Sequence, residues 1–478
     1  MRATSGQSSS RPWLVALVVL ALAIRVAFLV GAPHPQEMAG LSAVNGNMAH
    51  QIVAHGRWFE EDTGAWGRAA QRLMTERRQL VDPADVDVPD GTPPQLRPQV
   101  LEMPGEAILL AAAWTVTGDE RYVYVQVLQA VVDSLMVLAV FWLVLHLYRR
   151  RRAALLAAGL YAVFLPLAWM AKVPNTDLWA ADFTLLTTAA MVKALDAERP
   201  LRWWLTAGLS VGAGLYFRPT IMLVPLVLGL CAIPFAGRRR ALLCGLVPFG
   251  LALLLMVPWT IRNAVEFDQL IPTRVGVGQA LWEGMGELSN DYGAMLNDAV
   301  TARQVRAVRP DLEYGTPAYD RYLQDKATRL IRAHPLFYGK VIARRAVYAT
   351  VALRNVEWSG SAETPFVYAD RTARSVLTWP FAEPWDALRV VLVTLWEPLL
   401  LLAGLATAIA TRRRWGRRHL LLLAVPIATT LPYLFLHLEA RYLLPASFVW
   451  MSLAALGADL LVERTRTRRQ APQMVLAS

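Results

Sequence analysis

Long apolar runs alternate with short arginine-rich turns over most of this chain, and two extended polar stretches break the alternation. The first run, "WLVALVVLALAIRVAFLVGA" at 13–32, leads into a segment rich in Pro, Asp and Trp at 33–103. Further runs lie at 122–147, 153–171, 177–195, 202–216, 219–236 and 241–258, and again at 386–411, 419–437 and 441–462. A helix needs roughly 20 apolar residues to cross a bilayer, so the pattern predicts about ten spans. The stretch "PGEAILLAAAWTVTG", 104–118, is too short to span and reads as an interfacial or half-buried helix. Between 259 and 385, "PAYDRYLQDKATRLIRAHPLFYGKVIARRAVYATV" predicts two amphipathic helices separated at Pro335.

The basic turns set an orientation, because short loops rich in Lys and Arg stay on the cytoplasmic side. On that rule "YRRRRA", "KALDAERPLR", "GRRRA" and "TRRRWGRRH" face inward, as do Arg2, Arg11 and the tail "ERTRTRRQ". Residues 33–103 and 259–385 then lie outside, and both termini are cytoplasmic. The predicted organisation is a transmembrane module at 1–258, which carries helices 1–7, the external loop 33–103 and the juxtamembrane helix 104–118. A second external loop follows at 259–385, and 386–478 holds helices 8–10 and a basic cytoplasmic tail. The first run exceeds the roughly 7–15 apolar residues of a signal peptide and lacks a clear cleavage site, so it reads as a retained helix.

Composition narrows the class further. Of the 478 residues 55% are hydrophobic and 18% charged, against about 25% charged in a soluble globular protein. A net charge of +11 raises the possibility of a nucleic-acid partner, but the arginines sit between apolar runs, where they orient helices in a membrane. Cys231 and Cys244 both fall in apolar segments and read as small buried hydrophobes. No Walker A sequence occurs, and "GVGQAL" lacks the third glycine and the strand context of a dinucleotide fingerprint.

Several short motifs recur in a familiar order: "MPGEAILLAAAW", then "VQVLQAVVDSLMVLAVFWLVLHLYRRRRAALLAAGL", "GLSVGAGLYFRPT", "PWTIRN" followed by "LWEG", and "EARYLLP". This order resembles the C-type glycosyltransferase (GT-C) superfamily, and most nearly its bacterial protein-mannosyltransferase-like and lipid A aminoarabinose-transferase-like group. The resemblance implies an all-α polytopic membrane fold with two large external loops that carry juxtamembrane helices. It also implies transfer of a sugar from a polyprenyl-phosphate carrier to a lipid, glycan or protein acceptor outside the cytoplasmic membrane, with inversion at the anomeric carbon. The competing reading is a catalytically silent relative that binds lipid-linked sugar or envelope-assembly partners. A secondary transporter would favour broken spans and an inverted repeat near the midplane, and no convincing repeat is visible.

Site residues follow from the resemblance and from placement at the external face. Pro258 is expected to end the seventh helix, with Trp259 at the lipid boundary. Arg262, one turn on, is placed to hold a lipid phosphate in bidentate fashion, with Asn263 beside it, or else to anchor the interface. Lys172, Arg218 and Arg441 are further phosphate partners, and His437, Glu439 and Tyr442 crowd the exit of helix 9. Asp177 begins helix 4, where it either meets a helix N-terminus or lies beside the active site. The family usually carries an acid where this chain has Leu41 and Ser42. Glu37 is therefore the expected base, and Asp177 the residue that orients the acceptor or a neighbouring cation. Inside the membrane Asp133 is expected to bond to a neighbouring helix, and Arg25 shares that ambiguity. No cofactor is expected; the alternative is a divalent metal held by His34, Glu37 and His50, whose spacing follows no recognised ligand motif.

Overall fold

A computed structural model describes residues 10–31, 36–77, 80–89, 92–358, 366–372 and 396–475. Each of the ten predicted runs is helical within that range. Helices Arg11–Gly31, Val123–Tyr148, Thr176–Asp196, Arg238–Phe267 and Arg412–Phe435, with the stretch Ala440–Thr467, are long and apolar enough to cross a membrane. The remaining runs are shorter or interrupted. Residues 153–171 form helices Arg151–Ala162 and Leu165–Met170, split where Pro166 follows an extended Phe164. Residues 202–216 form Leu201–Leu215, and 219–236 become a 3₁₀ turn followed by two short helices, Leu223–Cys231 and Ile233–Ala236. The eighth run is helical over Trp396–Ala410, its first ten predicted residues lying outside the described range.

One boundary is corrected. Helix 7 does not stop at Pro258 but runs unbroken from Arg238 to Phe267, through Pro248 and Pro258, and closes on Asp268 at φ +51°. A proline removes one helical hydrogen bond, yet neighbouring groups in a membrane bundle re-satisfy the freed carbonyl.

Small residues let the helices approach closely. A Cβ on Gly229 would lie 2.8 Å from the Gly245 Cα, so Leu223–Cys231 and Arg238–Phe267 meet backbone to backbone. Ala153, Ala154, Ala157 and Ala158 form the buried stripe of Arg151–Ala162 and share a core with Phe164, Trp169, Leu185 and Phe448. Leu253, Leu254, Val257, Ile261 and Val265 remain exposed along the long helix, a surface suited to lipid rather than water.

A polar network crosses the bundle interior. The Arg25 guanidinium pairs with Asp133 and donates to the Ala21 and Ala162 carbonyls, each at 3.1 Å. Tyr161 donates to Asp133 at 2.6 Å and stands 3.4 Å from Asp182, a second buried acid that the sequence did not single out. The expected bond from Asp133 to a neighbouring helix is thus present, and its partner is Arg25.

At the arginine-rich end, basic side chains terminate helices. Arg240 donates to the Ala194 carbonyl at 2.8 Å and Arg418 to the Leu147 carbonyl, cations meeting negative helix C-termini. At the other end the polar segments fold into a cap. Helix Gln36–His55 packs on Gly105–Thr117, and Glu60–Asp62 pairs antiparallel with Leu96–Pro98, Glu61 opposite Arg97. Helices Val277–Met285, Asp298–Val308 and Pro317–Ala333 surround Trp282, Tyr319 and Leu323. The two amphipathic helices predicted around Pro335 are Pro317–Ala333 and Pro335–Val351. Arg97 joins the two halves of the cap, since it pairs with Glu61 and with Glu313 at 2.6 Å.

Candidate active site

Three turns at the cap end converge on one cleft of about 200 Å³. The turn after Leu201–Leu215 supplies Arg218 and Thr220, the start of Thr176–Asp196 supplies Asn175 and Thr176, and 433–442 supplies Tyr433, His437, Arg441 and Tyr442. Asn175 accepts from the Thr176 backbone N–H at 2.6 Å and so fixes the start of that helix, with Asp177 in its first turn.

Asp177 is buried between two guanidiniums. Arg218 pairs with its Oδ1, while Arg441 Nη1 lies 3.5 Å and Asn175 Nδ2 3.3 Å from its Oδ2. The Arg218 guanidinium also stands 4.5 Å from the Tyr442 ring centroid, and that ring stacks on Tyr433 at 4.4 Å. A carboxylate and an aromatic face together hold Arg218 in one orientation. Arg441 Nε donates to Glu439 at 2.6 Å, and His437 bridges Glu439 at 3.2 Å to Glu287 at 2.8 Å. Glu287 in turn accepts from Arg345 at 3.0 Å. The cleft wall therefore carries Arg218, Arg274, Arg441 and His437 against a single carboxylate, Glu102. The lining is cationic, and the carboxylates that offset it, Asp177, Glu439 and Glu287, stand behind the wall as partners of these cations.

Burial opposes charge on His437, but hydrogen bonds to Glu287 and Glu439 outweigh it and raise its pKa to about 9. Burial likewise works against ionised Glu439, and the Arg441 and His437 charges overcome it and hold that carboxyl well below the ordinary range. The stabilisation from His437 is full below its ordinary pKa near 6.5 and disappears as pH rises through about 9. Thermal stability of the purified protein is expected to fall between about pH 6.5 and 9, by up to about 3 kcal/mol, and His437→Gln should flatten that fall. A profile unchanged by His437→Gln contradicts this.

The geometry has counterparts among known proteins. The family model for dolichyl-phosphate-mannose-protein mannosyltransferase matches residues 102–261. An undecaprenyl phosphate-alpha-4-amino-4-deoxy-L-arabinose arabinosyl transferase of Pectobacterium carotovorum is 31% identical over 142 residues, which is 28% of this chain and 25% of that relative. The apo oligosaccharyltransferase of Archaeoglobus fulgidus superposes with a TM-score of 0.53 at 13% identity, over 98% of this chain and 53% of that one. Its complex with an inhibitory peptide and a dolichol-phosphate gives 0.50 at 14% identity, over 98% and 52%. Over nearly its whole length the chain has the fold of these archaeal oligosaccharyltransferase structures, an all-α polytopic membrane architecture. It spans about a quarter of the curated relative's length and about half of each archaeal structure.

Within this framework the predicted residues separate into two groups. Arg218 and Arg441 line the cleft, with Asp177 between them. Arg262, Asn263 and Lys172 do not line it. Arg262 donates to the Gln99 carbonyl at 2.8 Å and the Phe59 carbonyl at 3.0 Å, and lies over the Trp259 ring at 5.2 Å. Asn263 is fully buried and donates to the Ile271 and Thr273 carbonyls at 3.0 and 3.2 Å. Lys172 donates to the Leu29 carbonyl at 3.1 Å. Glu37 belongs to helix Gln36–His55, and its side chain lies outside the described residues, as does His34.

The motif "PWTIRN" is a latch. Trp259, Thr260 and Asn263 hold 271–273 against the long helix, while Arg262 holds 59 and 99. The latched segments continue into Arg274 and Glu102, which face each other at 3.3 Å, with the Val275 N–H bonded to the Val100 carbonyl at 3.1 Å. Sequence reasoning missed Glu102, Arg274 and Tyr433. Among the described residues no three His, Cys, Asp or Glu side chains are grouped to hold a metal ion.

Proposed function

We propose that this protein is a glycosyltransferase of the cytoplasmic membrane that moves a sugar from a polyprenyl-phosphate carrier to an acceptor on the outer side. The observation that carries this reading is the pair Arg218 and Arg441, held in a cationic cleft at the end of the bundle opposite the arginine-rich turns. The matching family and relative, named for transfer from dolichyl-phosphate-mannose and from an undecaprenyl-phosphate-linked aminoarabinose, support it.

The chemistry explains why two guanidiniums are useful. In the donor, phosphate is a diester with one negative charge. When the acceptor oxygen or nitrogen attacks the anomeric carbon, the bond from that carbon to the phosphate oxygen breaks and the carrier departs as a monoester with a second charge. Fixed cations bind that added charge more strongly than the starting charge, which lowers the barrier. Asp177 keeps both guanidiniums aimed without neutralising the whole cleft. Direct displacement of this kind inverts the anomeric centre. The acceptor is a lipid, glycan or protein that reaches the cleft from outside.

Membranes that contain the protein, supplied with a radiolabelled polyprenyl-phosphate sugar, should move label into a new lipid, glycan or protein fraction; membranes lacking it should not. Retention of all label on the carrier, with the carrier still bound, would instead mark a silent binder.

A further inference from the structure

We infer that Glu102 is the general base that takes the acceptor's proton, an inference that rests on the transferase reading above. Each other carboxylate at the cleft is committed to fixed cations. Asp177 is 1% exposed and held by Arg218, Arg441 and Asn175. Glu439 accepts from Arg441, His437 and Tyr442, the last at 2.9 Å, and Glu287 accepts from His437 and Arg345. A carboxylate so held has most of its roughly four acceptor sites occupied and its charge offset by fixed cations, which makes it a poor base. Among the described residues Glu102 is the one acid that lines the cleft, and its ion-pair partner, Arg274, is a guanidinium 39% exposed at 3.3 Å. An incoming hydroxyl can therefore replace that contact.

The backbone places Glu102 beside the phosphate partners. Gly105 donates to the Tyr216 carbonyl at 2.8 Å, and a Cβ on Gly105 would lie 2.7 Å from that oxygen. Only glycine allows the turn 102–105 to lie so close to the turn 216–218 that carries Arg218. The base and the leaving-group cation are thus fastened together at one contact. In the step, the acceptor O–H gives its proton to Glu102 as its oxygen bonds to the anomeric carbon. The electron pair of the broken carbon–oxygen bond leaves with the carrier phosphate, and Glu102 later releases the proton to water.

The test compares wild type, Glu102→Gln, Glu102→Asp and Glu37→Gln for donor binding and for transfer, both to the membrane's own acceptor and to azide, an anion that needs no deprotonation. Glu102→Gln should bind donor as wild type does, lose at least about 100-fold in transfer to the native acceptor, and still form glycosyl azide. Glu102→Asp should recover part of the native transfer. Loss of azide transfer as well would make Glu102 structural and overturn the assignment, as would wild-type native transfer by Glu102→Gln or selective loss in Glu37→Gln instead. A wild type that binds donor but transfers to neither acceptor would overturn the transferase reading itself.

Discussion

Replacing Arg218 with Ala is expected to reduce sugar transfer about 10- to 150-fold at subsaturating donor, the equivalent of one charge-assisted hydrogen bond worth about 1.5–3 kcal/mol. The loss should fall mainly on kcat, because the second phosphate charge appears only as the carrier leaves. Arg218→Lys should recover part of it: an ammonium keeps the charge but not the planar fork that meets Asp177 and stacks over Tyr442. Arg441→Ala should cost more, since it also strips Glu439 of its 2.6 Å partner and leaves Asp177 with one guanidinium. The two losses will not add, because both side chains share Asp177. Steady-state transfer at matched membrane levels checks this. Full activity in Arg218→Ala would reduce the pair to an interhelical clamp.

The largest effect on stability belongs to the network inside the bundle. Arg25 and Asp133 are both 0% exposed, so deleting either strands a charge where water cannot reach it. Breaking a buried pair in this way costs about 3–5 kcal/mol. Arg25→Met should be worse than Asp133→Asn, because it leaves Asp133 and the nearby Asp182 without their cation. The double variant Arg25→Met with Asp133→Leu should recover much of the loss, since an apolar pair of similar volume carries no desolvation penalty. Unfolding followed in detergent or bilayers measures all three. Equal stability of Arg25→Met and wild type would show that the network contributes nothing net.

Much of the architecture was legible because a membrane demands long apolar runs and the turns between them carry arginine. Helix interiors such as Val123–Tyr148 and Thr176–Asp196 follow within a residue or two of prediction. The error at Pro258 has a physical origin. A rule learned from water-soluble helices treats proline as a stop, whereas the bundle lets this helix run nine residues beyond it to Phe267. That extension turns Arg262 toward Phe59 and Gln99, so a residue read as a phosphate partner is found fastening loops. Arg218 and Arg441 were legible because each lies at a span exit in a quoted motif. Glu102 was not, since it is one acid in an aperiodic turn whose partner, Arg274, lies 172 residues away. Pairing of that kind is set by tertiary contact and leaves no local pattern.

Thirty residues of continuous helix between Arg238 and Phe267 amount to about 45 Å of rod, against a hydrocarbon layer about 30 Å thick. With Arg238, Arg239 and Arg240 held among headgroups at one end, roughly 15 Å must project at the other, about the length from Pro258 to Phe267. That projecting segment is the mast to which the Glu102 and Arg274 wall of the cleft is moored. A thicker bilayer draws the mast down and a thinner one tilts the rod, and either movement changes the spacing of Glu102 and Arg274 relative to Arg218. The geometry of the cleft is therefore expected to follow the thickness of the lipid around it, and reconstitution in short- and long-chain lipids varies that thickness without altering any residue.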